Sequence, residues 1–252
     1  MIVGEGSVFL LILTGGILMI RRAFKREMEV NEHQQNFLMS ITHELKSPIA
    51  SIKLFIQTLK SRDLDEAKRD EIYDQSLKEI NRLNNLVGNL LLTQSIENKN
   101  YFLDKKVIAI NDLIEEVVDN LKASALKQHS VQLDLLPFEL NADKEAIQSV
   151  INNILENAAK YSPANTTINV QIRQSDSTTI LSFKDEGQGI SDDDKLRVFD
   201  KFKRIENEMT RRSKGTGLGL FIVKFIVDEH GGQIILKDNQ PKGLNFEIHF
   251  KQ

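Results

Sequence analysis

At 252 residues, with 40% hydrophobic and 27% charged side chains, the chain has the composition of a folded body and room for two modest domains. A formal net charge of −3 gives no basic bias towards nucleic acid, and the absence of cysteine excludes disulfides, thiolate catalysis and Cys-ligated zinc while suiting a reducing compartment. The five histidines (His33, His43, His129, His230 and His249) contain no H-x-x-x-H pairing, which argues against a zinc enzyme.

The N-terminus differs from the rest. Ile2 to Ile20 is apolar or small except for Glu5, and Arg21, Arg22, Lys25 and Arg26 follow at once. As a helix this stretch reaches about 28 Å, close to the hydrocarbon thickness of a bilayer. Charges after the apolar run are unlike a secretory signal peptide, which carries them before it. Residues 1–22 are therefore expected to be a membrane span with a basic flank, and the positive-inside rule leaves the C-terminal body in the cytoplasm. Glu5 keeps one alternative open, an interfacial or buried helix.

From Ala23 to Ser61 the pattern predicts a helix, with Leu38, Ile41, Leu45, Pro48, Ile52, Phe55 and Leu59 recurring at spacings of three and four. Pro48 is expected to bend it. The polar S-R-D-L-D-E-A connector leads to a second helix ending near Ile96, with Ile72, Ile80, Leu83, Val87 and Leu90 along its inner stripe. Two such helices enclose no core alone, so residues 23–98 are expected to pair with a second copy into a four-helix bundle. Residues 99–106 read as a linker. Residues 107–252 alternate between helix and strand: helix Asn111–Gln128, strand Val131–Leu136, helix Asp143–Tyr161 capped by Asp143, strands Thr166–Gln174 and Thr178–Asp185, helix Leu218–Glu229, and strands Gln233–Lys237 and Leu244–Lys251 around an N-Q-P-K-G turn. The fold class is α+β, the second domain being a two-layer α/β sandwich.

Four motifs carry chemistry. His43 lies in F-L-M-S-I-T-H-E-L-K-S-P; with Ile41 and Leu45 facing the bundle, it falls between them on the open face. A histidine near pKa about 6.5 is mostly neutral and offers one ring nitrogen as a nucleophile. N-N-I-L-E-N-A-A-K-Y-S (Asn152–Ser162) puts Asn153 and Asn157 on one helix face, where amide oxygens suit Mg²⁺ already held by phosphate. Lys160 is placed to meet phosphate charge and Tyr161 offers a flat face to a nucleoside. In D-E-G-Q-G-I, the Asp185 carboxylate can accept from an adenine amino group, selecting ATP over GTP, while Gly187 and Gly189 let the backbone approach the base. In G-T-G-L-G-L, Gly215, Thr216, Gly217, Leu218 and Gly219 open a helix whose free N–H groups make a phosphate site. Between the last two motifs, a charged segment resembles a lid, anchored by Phe199 and Phe202. No G-x-x-x-x-G-K-[ST], H-R-D or D-F-G occurs, excluding a P-loop and Ser/Thr/Tyr kinase chemistry.

In this order and spacing the motifs resemble those of bacterial sensor histidine kinases, from about Phe37 to the C-terminus. The resemblance implies a dimeric phosphoacceptor hairpin followed by a Bergerat-type ATP-binding domain. It implies Mg²⁺-ATP as phosphoryl donor to His43, Glu44 as proton acceptor, and transfer onward to an aspartate of a response regulator in two-component signalling. It makes Asn157 the principal Mg²⁺ ligand with Asn153 in support, and sends Arg204 to the γ-phosphate; Arg211, Arg212 and Lys214 either join it or only solvate the lid. Where relatives carry Thr or Asn four residues after the histidine, to position water for dephosphorylation, this chain has Ser47, which leaves phosphatase activity open. The implied setting is a single-pass protein of a bacterial inner membrane. Almost nothing precedes the span, so either the input domain is absent or the chain is a piece of a longer sensor. Two rivals share parts of the pattern: a related ATPase in which no histidine is modified, and a membrane-anchored scaffold with a degenerate nucleotide domain.

Overall fold

The computed structural model describes residues 2–203 and 216–251, and the side chains of these except at residues 2–12, 26, 29–30, 32–34, 36–37 and 40. Helix α1 (Ile2–Ser61) has 60 residues, about 90 Å at 1.5 Å per residue. It is continuous through Pro48, whose side chain is buried. Helix α2 (Glu66–Glu97) begins where Asp65 caps it, Oδ1 accepting from the Lys68 N–H at 2.9 Å.

The two helices form an antiparallel hairpin. On α1, Ile41 and Pro48 are buried and Leu45, Ile52, Phe55 and Leu59 are partly buried, as the spacing predicts; Leu38 is exposed. On α2 the expected stripe is in fact two. Ile72, Leu83, Leu86 and Leu90 are partly covered, whereas Tyr73, Leu77, Ile80, Val87 and Leu91 form a second, exposed seam at spacings of three, four and seven. Ile80 and Val87 belong to this outer seam, because a helix touched by one neighbour hides only one flank.

Among the described residues no helix is long and apolar enough to cross a membrane. Of the expected span over residues 1–22, residue 1 and the side chains of residues 2–12 lie outside the description.

The C-terminal body is a mixed sheet under three helices. Strands β2 (Ser130–Leu135), β4 (Thr167–Ser175), β5 (Thr178–Lys184), β7 (Leu244–Lys251) and β6 (Gly232–Asp238) lie in that order, β2 parallel to β4 and the other pairs antiparallel. Alternate residues turn one way: Ile168, Val170 and Ile172, then Leu181 and Phe183, then Phe246, Ile248 and Phe250 are buried. Against them pack α3 (Ile110–Lys122), α4 (Lys144–Tyr161) and α6 (Gly219–Glu229), through stripes such as Ile114, Val117 and Leu121, Ile151, Ile154 and Leu155, and Ile222 and Ile226. Each such side chain contributes about 1.5–3 kcal/mol of burial. A short α5 (Asp192–Lys195) follows the β5 loop.

Two expectations change. Strands β1 (Lys106–Ala109) and β3 (Glu139–Ala142) form a separate antiparallel pair, so regular structure starts inside the expected linker. The expected helix Asn111–Gln128 stops at Lys122. A continued helix would carry Leu126 about 150° round from the centre of the α3 stripe. By leaving the helix through turns, the chain buries Leu126 instead, with its N–H bonded to Leu121 O at 3.0 Å.

Candidate functional site

His43 stands exposed on α1, between buried Ile41 and partly buried Leu45. The next residue turns the other way. The Glu44 side chain is 11% exposed, and its Oε2 accepts from Arg82 Nη2 on α2. Ser47 is partly buried one turn further on.

The nucleotide-type motifs converge on one cleft of about 280 Å³ in the C-terminal body. Its α4 wall presents Asn153, Asn157, Lys160 and Tyr161. The sequence fixes this helix at its start. Asp143 Oδ1 caps the Ala146 N–H at 2.9 Å, and the Asp143 N–H donates to His230 Nε2 at 3.1 Å. His230 Nδ1 lies 2.7 Å from the Ile226 carbonyl, which makes that nitrogen the donor and Nε2 the acceptor. Burial depresses the His230 pKa in keeping with this neutral form. Asn153 Nδ2 donates to Ser149 O at 2.8 Å, and its Oδ1 lies against Gly219 at the N-terminus of α6. An amide oxygen aimed at a helix N-terminus suits a cation bridged to phosphate, so the asparagine pair fits Mg²⁺ held through a nucleotide.

Asp185 is 8% exposed. Its Oδ1 accepts from the Gly187 N–H at 2.8 Å and the Leu244 N–H at 3.1 Å, leaving Oδ2 for a ligand. Burial raises its pKa above the ordinary carboxylate value, against the lowering effect of those two N–H groups. A turn the sequence marks only as a hairpin loop buttresses it. Asn239 Nδ2 donates to Asp185 O at 2.8 Å, and a Cβ on Gly243 would lie 2.0 Å from that carbonyl oxygen. Only glycine fits there, at φ 128°.

Of the remaining expected residues, Gly189, Thr216, Gly217 and Gly219 line the cleft. Gly187 packs on the Tyr161 carbonyl. Gly217, at φ 71°, sits where a Cβ would be 2.9 Å from Lys203 O, and its carbonyl accepts from the Phe202 N–H at 3.2 Å. Leu218 is fully buried core rather than wall, and Phe199 stacks edge-on against Phe246 with centroids 6.3 Å apart. Phe202 adopts φ 67° beside the Lys201 ammonium, 4.5 Å from its ring. Arg204, Arg211, Arg212, Lys214 and Gly215 lie outside the described residues. Sequence reasoning missed Gln188 and Lys203, which line the cleft, and Asn89, which reaches it from α2. Lys203 stood in the charged segment; Asn89 carried no signal, because only the packing of the hairpin against the C-terminal body brings it there.

Comparison with known proteins agrees with this layout. Residues 33–99 match the His Kinase A (phospho-acceptor) domain, and residues 142–252 match the histidine kinase-, DNA gyrase B- and HSP90-like ATPase family. The sensor protein KdpD of Clostridium acetobutylicum is 31% identical over 234 residues, covering 87% of this chain and 26% of that protein. The sensor histidine kinase WalK of Bacillus subtilis is 28% identical over 247 residues, covering 94% and 40% respectively. Among solved structures, the Acinetobacter baumannii histidine kinase AdeS aligns with TM-score 0.60 and 25% identity over 83% of this chain and 97% of that one. The chain thus spans well under half the length of these two curated relatives.

Proposed function

Because the chain belongs to the bacterial two-component sensor histidine kinases, we propose that it transfers the γ-phosphoryl group of ATP to His43 and passes it to an aspartate of a response regulator. One observation carries this reading: a single cleft gathers the asparagine face of α4, a buried carboxylate and the N-terminus of α6, while His43 stands exposed on a separate helix. A related ATPase that modifies no histidine is disfavoured by the phospho-acceptor match over residues 33–99.

The chemistry is mostly positioning and charge neutralisation. Asp185 Oδ2 accepts from the adenine amino group, and the α6 N–H groups and Lys160 hold phosphate oxygens. Asn157, with Asn153, would hold Mg²⁺, which supplies charge neutralisation along the phosphates. One imidazole nitrogen of His43 forms the N–P bond while the P–O bond to ADP breaks, its electron pair leaving with ADP. The proton on the other ring nitrogen goes to Glu44. Arg204, outside the described residues, is assigned to the γ-phosphate. Ser47 keeps a hydroxyl one turn after His43, partly buried on α1, and phosphatase activity stays open.

The exposed seam on α2 supports a homodimer, since a second hairpin would cover it. Residues 1–22 anchor the protein in a bacterial cytoplasmic membrane by a single span; the apolar run and the basic flank behind it support this. Incubation with γ-labelled ATP tests the function. Wild type acquires acid-labile, base-stable label, and His43→Gln binds nucleotide but takes none. Label persisting on His43→Gln refutes the assignment.

A further inference from the structure

Arg82 is one guanidinium facing two carboxylates. Its Nη2 donates to Glu44 of α1, and its Nη1 lies 3.7 Å from Oε2 of Glu79, one turn earlier on α2. That Glu79 oxygen is buried and, among the described residues, has no hydrogen-bond partner. A buried acceptor left without a donor is costly and calls for a reason. A shift of about 1 Å in the guanidinium would satisfy it.

We propose that Arg82 is a positioning residue for phosphoryl transfer, withholding Glu44 from His43 in the arrangement seen here and releasing it by passing to Glu79. The proposal rests on the roles of His43 and Glu44 given above. Adjacent helix residues diverge by about 100°, so a carboxylate pinned into the seam with α2 cannot accept a proton from an imidazole pointing outward. Glu79 shares a helix with Arg82 and moves with it, whereas Glu44 is on the other helix. Any sliding or rotation of α1 against α2 therefore breaks the Glu44 contact first and leaves Glu79 as the default partner. Arginine suits this place because its planar fork presents donors to two carboxylates at once. The result is a helix–helix register converted into the availability of one proton acceptor.

The test uses the full chain and initial rates of His43 labelling at varied ATP, kcat being the labelling rate constant at saturating ATP and KM the ATP concentration that gives half of it. Glu79→Gln weakens the receiving site, so kcat falls about tenfold, the equivalent of one charged hydrogen bond, with KM for ATP unchanged. Arg82→Met frees Glu44 and raises kcat, and adding Glu79→Gln to it changes nothing further. An unchanged kcat in Glu79→Gln, the same loss in both backgrounds, or a lower kcat in folded Arg82→Met at constant KM overturns the proposal. If Arg82→Met fails to fold by circular dichroism, the kcat and KM of Glu79→Gln decide alone. Undiminished kcat in Glu44→Gln overturns both the switch and the proton-acceptor role beneath it; absence of label on wild-type His43 marks failure of the kinase reading itself.

Discussion

Replacing Gly243 by alanine attacks the nucleotide site from a residue outside its walls. The added Cβ would meet Asp185 O at 2.0 Å, the Asp185 carbonyl carbon at 2.8 Å and Glu186 Cα at 3.0 Å. All three are backbone atoms, so no side chain can swing aside. Overpacking of this kind costs about 1–3 kcal/mol, and an L-residue at φ 128° costs about 1–3 kcal/mol more. The turn can relieve both only by moving off the Asp185 loop, which breaks the Asn239 bond to Asp185 O and the Leu244 N–H bond to Oδ1. The chain should then lose about 2–6 kcal/mol in urea unfolding of its C-terminal body. Misplacing Oδ2 removes one charged hydrogen bond to adenine, about 1.5–3 kcal/mol, or roughly ten- to a hundredfold in ATP affinity. Paired denaturation and ATP titration measure both effects. Wild-type stability with wild-type affinity would refute the buttress, and lost stability with intact affinity would detach it from Asp185.

Asp185→Asn puts an amide N–H where the adenine amino group donates, so ATP affinity falls roughly tenfold or more and GTP, with an acceptor there, is tolerated better in competition binding. Because burial holds the Asp185 pKa above the usual 3.9 or so, wild-type ATP affinity should fall on acidification at a higher pH than an ordinary aspartate would give. The depressed pKa of His230 works on stability: its neutral form is favoured when folded, so the stability it contributes is complete above about pH 6.5 and is lost as pH falls through the lower folded value. His230→Gln should flatten that part of a stability–pH curve. Leu77→Glu with Leu91→Glu, placing charge on the exposed α2 seam, should give monomers in sedimentation while ATP binding persists.

Periodicity exposed what a single element dictates. The Asp143 cap, the α4 face and the β4–β5 hairpin came through because each is written in residues three to ten apart. Strands β1 and β3 did not, since four residues give too short an alternation to stand out from a linker. The end of α3 was hidden because the burial of Leu126 depends on the body around it. The outer seam of α2 looked like part of one stripe for the same reason: which flank α1 covers is a tertiary fact. At the site, His43, Asn157 and Asp185 were marked by motif, whereas Gly243, Asn239 and Asn89 act through distant contacts. Glu44 is the instructive case: its position in the motif suggested a partner at His43, and the structure gives its oxygen to Arg82.

The central claim is that phosphorus passes from the α4 cleft to the imidazole on α1. Mass spectrometry at neutral pH on the chain after incubation with Mg²⁺ and ATP tests it directly, comparing wild type with Asn157→Ala. The account predicts a phosphoryl group on His43 of the wild type and none on the variant, which also loses Mg²⁺-dependent nucleotide affinity. Phosphate on another residue, or equal modification of His43 in both proteins, would contradict it.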